Sequence, residues 1–179
     1  MTQSTIHIII TGGTIDAVWD GKKDTAVIGE GLATASSLPD YFSRLILYAD
    51  VQFTEVYMKD SRSLTSTDIE HIVKEVEDSS STRILITHGT YTMPDTAKYL
   101  KAHLKRHDQT IILTGSMVPL RGFSGEYSDA AFNLGYAIAK VEDLGPGIYL
   151  AMNGRVFTPD EVVKNLAEGK FYSVFDRHA

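Results

Sequence analysis

Apolar positions along the chain follow two rhythms. Five short runs are apolar with few breaks: TIHIII (5 to 10), VQFTEVY (51 to 57), RILIT (83 to 87), TIILT (110 to 114) and GIYLAM (147 to 152). Most are continuous rather than alternating, as expected of parallel strands covered on both faces. Between them the period lengthens to that of a helix. In TSTDIEHIVKEVEDSSS (65 to 81), Ile69, Ile72, Val73 and Val76 recur at i, i+3, i+4 and i+7 behind Ser/Thr caps. Similar patterns predict helices at roughly 38 to 48, 93 to 106, 126 to 142 and 159 to 168. Strands and helices alternating in this way predict an α/β fold. The expected form is a three-layer αβα sandwich on a mainly parallel, Rossmann/flavodoxin-like sheet with right-handed crossovers. The segment 16 to 31, DAVWDGKKDTAVIGEG, breaks both rhythms; Gly-rich and charged, it reads as a mobile loop over the sheet edge.

A chain of 179 residues with 43% hydrophobic content fits one domain, 1 to 179, better than two. The absence of cysteine excludes disulfides, thiolate zinc sites and a cysteine nucleophile, and fits a reducing compartment. No run near the start is long enough for a signal-peptide core or a membrane span, so a soluble, cytoplasmic protein is expected. A net charge of −6 argues against a nucleic-acid or anionic-membrane binder. The one basic cluster, KAHLKRH (101 to 107), suits the C-terminal end of a helix.

In an open parallel sheet, ligands bind beyond the carboxyl ends of the strands. Here the five strand exits read TGGT (11 to 14), MKDSRS (58 to 63), HGTYT (88 to 92), GSM (115 to 117) and NGR (153 to 155). Turn chemistry explains some of this composition, but small, hydroxyl- or amide-bearing residues at all five exits predict a site along this edge. Thr14 and Thr90 are its candidate nucleophiles. Each hydroxyl needs a base or oxyanion donors to react, and each is otherwise a turn or capping hydroxyl. Glycines 12, 13, 89 and 115 let a ligand approach the backbone. Thr92, with Pro94 and Asp95 after it, reads as a helix N-cap. His88 reads first as a core histidine bonded to backbone and second as a general base. TGGTID lacks the Gly-Lys-Ser/Thr ending of a phosphate loop, and GEGLAT (29 to 34) lacks a dinucleotide fingerprint. His103 and His107 have no third ligand beside them, so neither a metal nor a cofactor is expected.

TGGTID (11 to 16) and ITHGTYTM (86 to 93) resemble the two signature segments of bacterial-type L-asparaginases, shared with an amidotransferase subunit of transfer-RNA-dependent glutamine synthesis. The resemblance extends through MKDSRSLTSTD, ILTGSMVPL, DAAFNLGYAI and AMNGRVFTPDEVVK. It covers the family's N-terminal domain, so the chain is most like the short single-domain asparaginases, with the C-terminal asparaginase domain absent. The resemblance implies an amidohydrolase that converts L-asparagine to L-aspartate and ammonia. Thr14 would be the acylated nucleophile, with Thr90 and Lys164 as a second hydroxyl–base pair. Asp60 and Ser61 match positions that hold the substrate's α-carboxylate and line the pocket. Gly13, Gly89, Tyr91 and Ser116 flank them at the strand exits. Taken by itself, Lys164 in DEVVKNL reads as a helix-surface residue.

The chain departs from the family pattern at Tyr91, where the family has an Asp that orients the lysine and binds the α-ammonium. It departs again near Trp19, where the family's loop Tyr has no equivalent, and in lacking the acidic residue that a C-terminal domain lends to a neighbour. Asp16, Asp95 and Glu126 are the carboxylates that could take over the ammonium. Two other readings follow: a related amidase with altered substrate preference, and a non-catalytic module binding aspartate or asparagine. Acyl transfer benefits from excluding water, so a homo-oligomer, dimer or tetramer, is expected to cover the exits.

Overall fold

The computed structural model describes residues 4–29, 31–122 and 127–176. Its strands are β1 (Thr5–Gly12), β2 (Val18–Asp20), β3 (Thr25–Val27), β4 (Asp50–Lys59), β5 (Arg83–Thr87), β6 (Thr110–Thr114), β7 (Gly147–Met152), β8 (Arg155–Phe157), β9 (Val162–Asn165) and β10 (Lys170–Ser173). Its helices are α1 (Leu38–Ser43), α2 (Ser66–Asp78), α3 (Met93–His103) and α4 (Ala130–Asp143). The main sheet has the order β4-β1-β5-β6-β7-β8, parallel except for the β7–β8 hairpin. Counting only its parallel strands, the order is 2-1-3-4-5, that of flavodoxin-like sheets, and the order reverses between β1 and β5.

The continuous apolar runs are buried on both faces, as their pattern predicts. On β1, Ile6, Ile8 and Ile10 join Leu38, Leu85, Ile112, Leu134 and Ala137 on the α1/α4 side. Ile9 joins Ile72, Val76, Ile84, Ile86 and Leu100 on the α2/α3 side. Strand periodicity therefore builds two cores back to back, which makes the three layers. Helix α2 forms where its caps foretell it. Thr65 accepts from Asp68 N at 3.2 Å, and Asp68 accepts from Thr65 N at 2.8 Å, closing a capping box.

Three expectations need correction. The segment 16 to 31, read as a loop, carries the antiparallel β2–β3 hairpin, in which Val18 pairs Val27 and Asp20 pairs Thr25. Asp20 caps its turn by accepting from Lys22 N at 2.9 Å. The helix expected at 38 to 48 ends at Ser43. The helix expected at 159 to 168 is absent: Val162–Asn165 is a strand paired with Lys170–Ser173. Adjacent β-branched valines favour the extended form, and Gly169 at φ +61° supplies the turn between the two strands. The expected start of the helix at 126 falls on Glu126, outside the described residues; α4 is helical from Ala130.

Candidate active site

At the point where the strand order reverses, the exits of β1 and β5 meet backbone to backbone. Gly13 has φ 85° and ψ −175°, and a Cβ there would stand 2.4 Å from Gly89 N. Its own N–H donates to Lys59 O at 3.0 Å, which brings in the exit of β4. A Cβ on Gly89 would meet Ser61 Cβ and Oγ at 2.6 Å, and one on Gly115 would meet His88 O at 2.4 Å. Four strand exits are thus packed as closely as glycine allows. Thr14 opens a short 3₁₀ turn just past this contact, half-buried, and Thr90 lies buried on the other side.

Lys164 reaches this edge from a distant part of the chain. In β9 it shares a strand face with Val162, which is 1% exposed, while Val163 between them points outward. The period-2 strand turns the lysine inward, where the helix first expected would have left it on the surface. Its Nζ donates to Thr90 Oγ1 at 2.7 Å, and Thr90 Oγ1 in turn donates to Met117 Sδ at 3.6 Å. Burial lowers the Lys164 pKa from its ordinary value, and the nearby Arg62 charge lowers it further. A greater share of the amine is then neutral at a given pH, and a neutral amine can accept a proton from the hydroxyl it faces.

The other expected residues separate into those at the site and those held elsewhere. Ser61 is buried against Gly89, and its carbonyl accepts from Thr92 Oγ1 at 3.1 Å. Thr92 does occupy the N-cap position of α3, but its hydroxyl fastens the β4 and β5 exits together and makes no cap bond, a correction to its reading as a capping side chain. Asp60 accepts from Arg62 N, Nε and Nη2 at 2.8, 2.9 and 2.9 Å, and this pairing holds its pKa below the usual carboxylate value. Tyr91 is half-exposed, with Arg62 Cζ 5.6 Å from its ring centroid. Ser116 is fully buried at the β6 exit, with no partner for its hydroxyl among the described residues.

His88 is a core histidine. Its Nδ1 donates to Gly89 O at 2.8 Å, since a carbonyl can only accept, and Nε2 therefore accepts from Thr96 Oγ1 at 3.0 Å. Burial lowers its pKa to about 4 against the opposing bond to Gly89. Neutral and doubly bonded, it braces the Gly89–Thr90 turn.

The carboxylates considered for an ammonium are placed otherwise. Asp16 is buried and accepts from Ser36 Oγ at 2.8 Å and Ser37 N at 2.9 Å; burial raises its pKa despite these bonds. Asp95 is exposed in the first turn of α3. Glu126 lies outside the described residues.

Several residues at this edge escaped sequence reasoning. Arg62 follows Ser61 in the same exit, a position that was legible without its role. Asn133 was hidden in the apolar stretch DAAFNLGYAI, yet it is fully buried and links three elements. Its Nδ2 donates to Gly115 O and Asp129 Oδ2, both at 3.0 Å, and its Oδ1 accepts from Asn153 N at 3.2 Å. Asn153 Oδ1 accepts from Phe171 N at 3.1 Å, and Phe171 pairs with Lys164 across the β9–β10 hairpin. A lone polar residue in an apolar helix was the available signal. Among the described residues, no group of three or more His, Asp or Glu could hold a metal ion, and no helix is long and apolar enough to cross a membrane.

Comparison with known proteins points the same way. The family model described as the N-terminal domain of asparaginase matches residues 5–173. A glutaminase-asparaginase of Acinetobacter glutaminasificans is 26% identical over 171 residues, which cover 92% of this chain and 50% of that protein. The solved structure of the thermostable L-asparaginase from Thermococcus kodakarensis matches with a TM-score of 0.75 at 27% identity, over 94% of this chain and 51% of that one. A probable cytoplasmic L-asparaginase from Campylobacter jejuni gives 0.74 at 27% identity, over 96% and 53%. The chain spans about half the length of the relatives it matches.

Proposed function

Because the chain belongs to the asparaginase family, through that family's N-terminal domain, we propose that it is an amidohydrolase that converts L-asparagine to L-aspartate and ammonia. The observation that carries this reading is the Lys164 Nζ to Thr90 Oγ1 contact of 2.7 Å, made across 74 positions of chain beside the Thr14 turn. Nothing in the folding of a β-hairpin requires an amine with lowered basicity to be set on a buried hydroxyl, whereas acyl transfer does require a hydroxyl with a base.

In this mechanism Thr14 Oγ forms a bond to the side-chain amide carbon of asparagine. Its hydroxyl proton passes to the leaving nitrogen, the C–N bond breaks, and ammonia departs. The β-aspartyl group remains as an ester on Thr14. Neutral Lys164, acting through Thr90, then takes a proton from water. The water oxygen attacks the ester carbon, the C–Oγ bond breaks, the proton held by Lys164 returns by way of Thr90 to Thr14 Oγ, and aspartate leaves. Gly13, Gly89 and Ser116 bound the pocket, and Ser61 and the Asp60–Arg62 pair face the carboxylate end of the substrate. A second copy of the chain covering the exits, and a cytoplasmic setting, complete the proposal; the lack of cysteine and the probable cytoplasmic relative support the latter.

Acid quenching during turnover, followed by peptide mass mapping, tests the assignment. One aspartyl group on the peptide containing Thr14, absent from Thr14→Ala, is the expected result. An acyl group on the Thr90 peptide instead would overturn the roles given to the two threonines.

A further inference from the structure

The charges at the mouth of the site are unevenly shared. Lys164 reaches Thr90, and Arg62 lies over the ring of the next residue, Tyr91. The carboxylate beside them, Asp60, is fully engaged by three bonds from Arg62. Asp16 is turned away and tied to Ser36 and Ser37, and Asp95 stands exposed on α3. Asp60 and Asp16 are thus committed to partners within the chain.

A carboxylate, by contrast, finds a ready receptor. A guanidinium has five N–H donors. Asp60 occupies the Nε–Nη2 edge of Arg62, and among the described residues nothing bonds the Nη1 edge. Asp60 also fixes the rotamer, and the guanidinium lies over the Tyr91 ring, its Cζ 5.6 Å from the centroid. The Tyr91 phenol adds an O–H donor directly after Thr90. Both side chains are substantially exposed, so they meet a ligand without a prior rearrangement.

We propose that Arg62 and Tyr91 recognise a carboxylate on the substrate while the site gives no anchorage to an α-ammonium. The substrate class is then the ω-amides of small dicarboxylic acids, with or without an α-amino group. This deepens the amidohydrolase reading of the same site and rests on it. Asparagine is a substrate, but its amino group contributes nothing to selection.

Ammonia release from asparagine and from succinamate, its analogue without the amino group, tests this together with calorimetric binding of aspartate and succinate. The expected kcat/KM for succinamate equals or exceeds that for asparagine. Arg62→Gln raises KM for both substrates about tenfold or more, with a smaller change in kcat, as expected for loss of a charge-assisted bond. Tyr91→Asp shifts the ratio toward asparagine by about tenfold, the value of one ion pair in a partly desolvated site. A parent enzyme that prefers asparagine by tenfold or more overturns the inference and leaves the amidohydrolase reading standing. If neither amide is turned over, that reading fails instead. Succinate binding at least as tight as aspartate, and weakened in Arg62→Gln, then still supports carboxylate recognition. Tighter binding of aspartate, or binding of neither, rejects it.

Discussion

The close approach of the two threonine turns rests on Gly13, so Gly13→Ala is the sharpest perturbation of the site that leaves every polar group in place. Its φ of 85° and ψ of −175° lie in a region essentially restricted to glycine, where another residue costs of order 1–3 kcal/mol. The added Cβ would stand 2.4 and 2.5 Å from Gly89 N and Cα and 2.9 Å from His88 C, all backbone atoms that no rotamer change can move. Restoring van der Waals contact requires the β1 and β5 exits to part by about 1 Å, and overpacking of this kind adds about 1–3 kcal/mol. The expected stability loss is about 2–6 kcal/mol, a large share of the roughly 5–15 kcal/mol that holds a domain together. The same 1 Å separates Thr14 from Thr90, and a displacement of that size costs about 100-fold in rate. Urea unfolding followed by circular dichroism gives the first quantity, and ammonia release at low temperature gives the second. Gly21→Ala in the β2–β3 turn, where a Cβ meets nothing within 4 Å, is the matched control and should change neither. A Gly13→Ala protein with the parent's unfolding midpoint and turnover would refute the reasoning.

Other consequences are as definite. The rising limb of the pH–rate profile should lie below the ordinary lysine value of 10.5, because burial and Arg62 lower the Lys164 pKa; Lys164→Met should remove that limb and lower kcat by about 10²–10⁴-fold. Arg62→Gln should move the limb to higher pH by relieving the charge repulsion. His88 has a folded pKa of about 4 against an ordinary 6.5, so the unfolded chain binds more protons between those values and stability rises with pH. Chemical unfolding across pH 4 to 6.5 should show roughly 3 kcal/mol of such dependence, missing from a His88→Gln variant. Gly135 is exposed within α4 and a Cβ there meets nothing within 4 Å, so Gly135→Ala should raise stability by about 0.5–1 kcal/mol without altering turnover.

How much of this was legible in the chain depends on whether a feature is local. The central strands β1, β5 and β6 were readable because burial on both faces forces a continuous apolar run, and α2 because Thr65 and Asp68 cap it through side chains three residues apart. The residues at the strand exits were also readable. Thr14, Ser61, Thr90 and Ser116 stand at strand exits, and exits of a parallel sheet converge whatever the details of packing. What was not readable depends on partners distant in sequence. Lys164 was assigned to a helix because DEVVKNL has helix-forming residues, but its strand is stabilised by pairing with Lys170–Ser173 and by burying Val162 and Phe171. Three-residue strands such as β2 and β3 give no periodic signal above turn composition. Arg62 beside Tyr91 and the Asn133–Asn153 link to the hairpin are contacts that only the folded chain creates.

The central claim is that the hydroxyl of Thr14 and the Thr90–Lys164 pair together cleave an amide. Steady-state ammonia release from asparagine by the parent, Thr14→Ala, Thr90→Val and Lys164→Met tests it most directly. The account predicts turnover by the parent and a loss of about 10² or more in kcat for each variant, with non-additive losses on combining Thr90→Val with Lys164→Met. Folded Thr14→Ala protein that releases ammonia at the parent's rate would contradict it.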